Sequence, residues 1–192
     1  MSAIYWKEIK SYFYSPIAYV LIGLLTVVSS LLFYVINLSQ GYGDTNWIFS
    51  FWIYLIVMMI FISVITMRTL ADERRNGTEV LLISSPQSIT SIVVGKYLAA
   101  FSVFLCMVCL TLVYPIVVSA FGGFVTTITL SGYVGYVLLG GAFVAIGIFA
   151  SSLTQNQIIS VIISFVGMLL MWLMGTLAPS FGGIISKIFT AI

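Results

Sequence analysis

The stretch MRTLADERRNGTEVLLISSP, residues 67–86, interrupts an otherwise apolar chain. It holds six of the twelve charged side chains (seven Lys and Arg plus five Asp and Glu) in the 192 residues. Arg68, Arg74 and Arg75 balance Asp72, Glu73 and Glu79, so the island carries no net charge. The flanks decide the fold. The chain is 61% hydrophobic and 6% charged, with a mean hydropathy of +1.21. A soluble domain carries about 25% charged residues, and so much exposed apolar surface would aggregate in water. The chain is therefore read as an integral membrane protein. Hydrocarbon offers the backbone no hydrogen-bond partner, which leaves helices or closed barrels. Barrel strands alternate apolar and polar residues over about 10 positions. The apolar runs here are unbroken, so an all-α membrane fold is expected.

Residues 1–15 come first. Ile4, Tyr5, Ile9, Tyr12 and Phe13 recur at helical spacing, with Lys7, Lys10 and Ser11 on the other side. That pattern predicts a short amphipathic helix at the membrane surface. Five spans are predicted over residues 16–38, 47–67, 89–118, 131–153 and 158–177, each long enough for a core of about 30 Å. Trp47 and Trp52 anchor the start of the second. Residues 97–186 contain no Lys, Arg, Asp or Glu, so turns there are placed by glycine and polar clusters. These are Gly122-Gly123 with Thr126-Thr127, and Thr154 to Gln157. Pro179, Gly182 and Gly183 break the helix after residue 177, leaving residues 178–192 as an outer segment.

Lysine and arginine set the orientation. With the N-terminus cytoplasmic, Lys7, Lys10, Arg68, Arg74 and Arg75 lie inside, and Lys96, early in the third span, snorkels to the same face. Lys187 alone lies outside. The island at residues 68–88 is then cytoplasmic.

The composition excludes several chemistries. With no histidine, neither a Ser-His-Asp triad nor an HExxH zinc helix can form. No carboxylate lies within a span, which argues against a membrane-embedded carboxylate relay. Gly95-Lys96 lacks the upstream glycine of a phosphate-binding loop. The protein is not expected to be an enzyme, to need a cofactor or metal, or to bind nucleic acid. Cys106 and Cys109 sit in hydrocarbon and read as small hydrophobes. Pro115 is expected to kink the third span or to mark its outer end. Gly141 with Ala145, and Gly147 with Ser151, are small-residue pairs that allow close helix contact within the subunit. Scattered span serines and threonines are expected to bond to backbone carbonyls more often than to line a path.

Within the island, Asp72 to Arg75 reads as an extension of the second span. Gly77 is placed to end it in a left-handed conformation. Thr78 caps a second short helix over Glu79 to Ser84, with Glu79 suited to its positive end. Pro86 stops it, and Ser88 or Thr90 caps the third span. The Val, Leu and Ile residues of that short helix suit either the lipid interface or a covering partner; composition leaves both open.

The stretch MRTLADERRNGTEVLLISSPQSITSIVVGKYLA resembles the signature region of ABC-2 type transporter permeases. The resemblance lies in Glu73, Arg74, Gly77, Thr78, Glu79, Leu81, Leu82, Pro86, Gly95 and Lys96. GGAFVAIGIFASSLTQNQIIS, residues 140–160, is similar to the fourth span and following turn of that family, especially its gliding-motility branch. The resemblance implies the membrane subunit of an ATP-driven exporter in a bacterial cytoplasmic membrane, paired with a second permease and two separate ATPase subunits. It makes residues 1–15 a connecting helix and the helix after Gly77 a coupling helix seated in the ATPase. The coupling residues would be Glu73, Arg74, Arg75, Gly77, Thr78, Glu79, Leu81, Leu82 and Pro86. Gln155, Asn156 and Gln157 would make a smaller second contact. Such permeases usually have six spans. Five plus an outer segment are read here, as in a chain that stops before its sixth span or a five-span variant. The alternative function is a membrane anchor that recruits a cytoplasmic partner without transport. A passive channel is a weaker third reading, since no span carries a ring-forming charge.

Overall fold

A computed structural model describes residues 2–39, 52–77, 88–121 and 127–177. Every regular element among them is helical. The helices are α1 (Ser2–Tyr14), α2 (Pro16–Phe33, prolonged by a π-helical turn at Tyr34–Leu38), α3 (Trp52–Thr66), α4 (Ala71–Arg75), α5 (Ile89–Thr111), α6 (Val113–Ala120), α7 (Thr127–Ser152) and α8 (Gln157–Leu177). Five stretches are long and apolar enough to cross a membrane: Ala18–Leu38, Trp52–Arg75, Ile89–Ala120, Thr127–Ser152 and Gln157–Thr176. The protein is a multi-pass, all-α membrane protein.

Helices α3, α5 and α7 form the centre of the bundle, and α2 and α8 flank it with most of their surface outward. Helix α8 packs on α7 and α3, while α1 lies against α5 and α2. The core joins Tyr54, Met58 and Ile62 of α3 to Val103, Phe104 and Met107 of α5. Phe143, Val144 and Ile148 of α7 and Met168 of α8 close it. Glycines let α7 approach its neighbours. A Cβ at Gly140 would overlap the Phe104 ring, and one at Gly147 would lie 2.8 Å from Thr66 Cβ. The Tyr97 hydroxyl donates to the Gly141 carbonyl at 3.2 Å. Ala145 faces outward, so Gly141 and Ala145 do not form one packing pair. Spacing of four leaves two residues about 40° apart around a helix, and here the edge of the contact falls between them.

The expected spans match the helices with shifted ends. Residues 47–51 of the second span lie outside the described residues, as do residues 178–192. Helix α7 begins at Thr127 rather than 131, and α8 at Gln157. Ser88 caps α5 by accepting from the Ser91 amide at 3.4 Å. The bend foreseen at Pro115 is a break at Leu112 between α5 and α6. Proline has no N–H for the carbonyl four residues back, and that carbonyl, on Thr111, accepts from the Tyr133 hydroxyl at 3.1 Å. Most polar span side chains do bond to their own helix: Ser63, Thr66, Ser102, Thr111 and Ser164 each donate to a carbonyl three or four residues back. Ser29 instead shares a buried hydrogen bond with Tyr54 across helices, at 3.2 Å.

Candidate functional site

The charged residues that can be followed in the structure converge at one end of the bundle. Helix α1 is built for that end. Residues 4, 5, 8, 9, 12 and 13 turn towards the protein, and Lys7, Lys10 and Ser11 outward, the stripe its spacing predicts. The Tyr12 hydroxyl donates to the Ile65 carbonyl at 2.9 Å, and Tyr5 shares a 3.1 Å hydrogen bond with Ser102. Burial pushes the Tyr12 phenol well above its ordinary range, aided by the nearby Glu8 carboxylate. The hydroxyl therefore stays a donor at any working pH, and α1 stays tied to the end of α3.

Lys96 does not snorkel. It is 1% exposed, on the inner face of α5. Its ammonium donates to the Thr69 carbonyl at 2.7 Å and to Glu8 Oε1 at 3.0 Å, and forms an ion pair with Glu73 Oε1 at 2.7 Å. Two hydrogen bonds and two carboxylates thus surround the one ammonium. Burying the cation is tolerable because it is paired with two carboxylates and hydrogen-bonded to Glu8 and Thr69; an isolated charge at this depth would cost several kcal/mol. The expectation failed because Glu8, eighty-eight positions away, supplies the counter-charge from α1.

A second node adjoins the first. Arg68 Nε donates to Asp72 Oδ2 at 3.1 Å, one helical turn on, and Arg68 Nη1 donates to Ser15 Oγ at 3.3 Å. The Gln157 side-chain amide donates to Asp72 Oδ1. Gln157, expected at an exposed partner contact, is thus engaged inside the chain. Asn156 is occupied too: its side chain accepts from the Ile158 amide at 3.0 Å and caps α8. Of the three, Gln155 lies exposed in the turn before α8.

The extension of the second span is not continuous. Residues 67–70 form a turn between α3 and α4. Ser151 fills that break: its hydroxyl accepts from the Leu70 and Ala71 amides at 3.1 and 3.0 Å and donates to the Met67 carbonyl at 3.2 Å. A residue chosen for smallness acts instead as a polar strut from α7. Helix α4 then carries Glu73 and Arg74 half-buried and Arg75 exposed. Gly77 closes it at φ +69°, the left-handed region that only glycine enters freely. Thr78, Glu79, Leu81, Leu82 and Pro86 lie outside the described residues.

Glu8, Lys96, Asp72 and Ser151 were missed as a group. The usable signal was a lysine within an apolar run, since a charge near a span end takes a partner. Glu8 and Glu73 lay in the two segments expected on its side of the membrane. Among the described residues, no group of three His, Cys, Asp or Glu could hold a metal ion. Mechanically, it ties α1, α4, α5 and α8 at one end.

A family model described as ABC-2 family transporter protein matches residues 31–192. No curated protein and no solved structure matches the chain.

Proposed function

Because the chain belongs to the ABC-2 family of transporter proteins, we propose that it is the membrane-spanning subunit of an ATP-driven exporter, worked by a separate ATPase through residues 68–88. Its N-terminus would face the cytoplasm of a bacterial inner membrane, and it would act with a second permease subunit. Glu79, Leu81 and Leu82, with Thr78 and Pro86 at the borders, would seat in the ATPase. Glu73, Arg74, Arg75 and Gly77 would carry the displacement back to the spans.

The observation that carries this reading is the Lys96 junction. Glu73 lies four residues before Gly77, and its carboxylate holds the ammonium of α5 at 2.7 Å. The same ammonium holds Glu8 of α1. A push on the segment between Gly77 and Ser88 therefore reaches the second span through α4, the third through Lys96, and the N-terminal helix through Glu8. Asp72 passes it to the fifth span through Gln157. Packed interfaces move as rigid bodies rather than deforming gradually, so one displacement would reorient several spans together.

Reconstituting the chain in vesicles with the ATPase recovered from its native membrane tests the proposal. ATP-dependent solute movement is expected, and Glu79→Arg, Glu73→Arg or Leu81→Asp should uncouple it from hydrolysis. Transport that survives all three changes would overturn the coupling assignment, and vesicles that move no solute would favour the anchor.

A further inference from the structure

Two cavities meet between α1, α2 and α3, and their linings change from charged to apolar where they join. The first, of about 290 Å³, lies at the charged end and is lined by Lys7, Glu8, Ser11, Arg68, Asp72 and Lys96 among others. The second, of about 350 Å³, is a groove between α2 and α3 lined by leucine, valine, isoleucine and phenylalanine alone. Leu21 and Val64 belong to both linings. The groove follows α2 to Val28, twelve residues beyond Pro16. At 1.5 Å per residue that is about 18 Å, or roughly half of a hydrocarbon core. The composite space has a polar chamber at the depth of headgroups and an apolar channel reaching the middle of the bilayer.

We propose that this space binds one zwitterionic phospholipid of the surrounding membrane, headgroup in the charged chamber and one acyl chain in the α2–α3 groove. The chamber's charges select the headgroup. Lys7, Arg68 and Lys96 are balanced by Glu8, Asp72 and Glu73. Lys96 is buried and engaged inside the cluster by Glu8, Glu73 and the Thr69 carbonyl. Lys7 is exposed at the mouth, and Arg68 has N–H groups beyond the two it uses on Asp72 and Ser15. Those two cations suit a phosphodiester. The carboxylates beside them suit a primary ammonium and repel an anionic lipid that lacks one. The bilayer supplies the occupant: at this depth the groove opens sideways beside Leu24, which is exposed. The site rests on the membrane-spanning fold and not on the ATPase, so a chain that fails to couple would still bind the lipid.

The full chain, purified in mild detergent, is offered equimolar phosphatidylethanolamine and phosphatidylglycerol with identical acyl chains, and retained lipid is counted by native mass spectrometry. One phosphatidylethanolamine is expected to be held about tenfold in preference to phosphatidylglycerol, a difference the size of one charge-assisted contact. Lys7→Gln should cut its retention several-fold, and Leu24→Trp, which fills the groove from an exposed position, should do the same. Both changes are at exposed residues, and an unchanged melting temperature verifies their folding. Equal retention of the two lipids, preference for phosphatidylglycerol, or retention that either variant leaves unchanged would overturn the proposal.

Discussion

Replacing Lys96 by Met keeps most of the side chain's length and removes the charge. Glu8 and Glu73, whose side chains are each 14% exposed, then face one another without a cation, and the Thr69 carbonyl loses its donor. Removing one partner of a buried ion pair costs about 3–5 kcal/mol, because the remaining charge stays buried. For a chain of this length 1 kcal/mol moves the melting temperature by about 2–4 °C, so a fall of roughly 6–20 °C is expected. The junction has a second consequence. Exchanging the whole cluster for neutral groups of similar volume is close to neutral in such cases, so Lys96→Met with Glu8→Gln and Glu73→Gln should recover most of the loss. Glu8→Gln alone should cost less than Lys96→Met, about 1–3 kcal/mol, because the ammonium keeps Glu73 and Thr69. Thermal unfolding of the intact protein in detergent reads all three variants. A Lys96→Met protein that melts within about 2 °C of wild type would refute the junction, and so would a triple variant no better than the single one.

Other sites yield independent tests. Gly147→Ala drives a methyl into Thr66 and should destabilise by about 1–3 kcal/mol, whereas Gly135→Ala, which meets open space, should be neutral or slightly stabilising; melting temperatures compare them. Tyr133→Phe should cost about 1–2 kcal/mol by orphaning the Thr111 carbonyl, and less in a Pro115→Ala background, where the restored amide takes that carbonyl; a double-mutant cycle measures the coupling. Ser151→Ala leaves the Leu70 and Ala71 amides without their acceptor and should cost about 1–3 kcal/mol, with faster hydrogen exchange at residues 67–71.

What was legible in one dimension was length, polarity and local backbone chemistry. Hydropathy found five membrane-length helices because a span must satisfy its own backbone. Gly77, Ser88 and Pro115 announced a stop, a cap and a break because each acts within one turn of itself. The azimuth of a residue around its helix was not legible, so Ala145 was paired with Gly141 although it faces outward. Long-range partners were hidden too. Lys96 looked like a snorkelling lysine until α1 folded back to bring Glu8 to it. Gln157 reads from the sequence as part of a partner contact, whereas the fold places it against Asp72, and Ser151 reads as merely small, whereas the turn after α3 lies against it.

In the proposed mechanism an ATPase acts on the segment after Gly77, and its motion enters the spans through α4. Affinity purification of the chain from its native membrane, with ATP hydrolysis assayed on the eluate and its subunits identified by mass spectrometry, tests this most directly. The wild-type chain should bring down an ATPase subunit in near-equal amount and Leu81→Asp should lose it, while Lys96→Met with Glu8→Gln and Glu73→Gln should keep it bound. An eluate without ATPase, or one in which Leu81→Asp retains as much as wild type, would contradict the account.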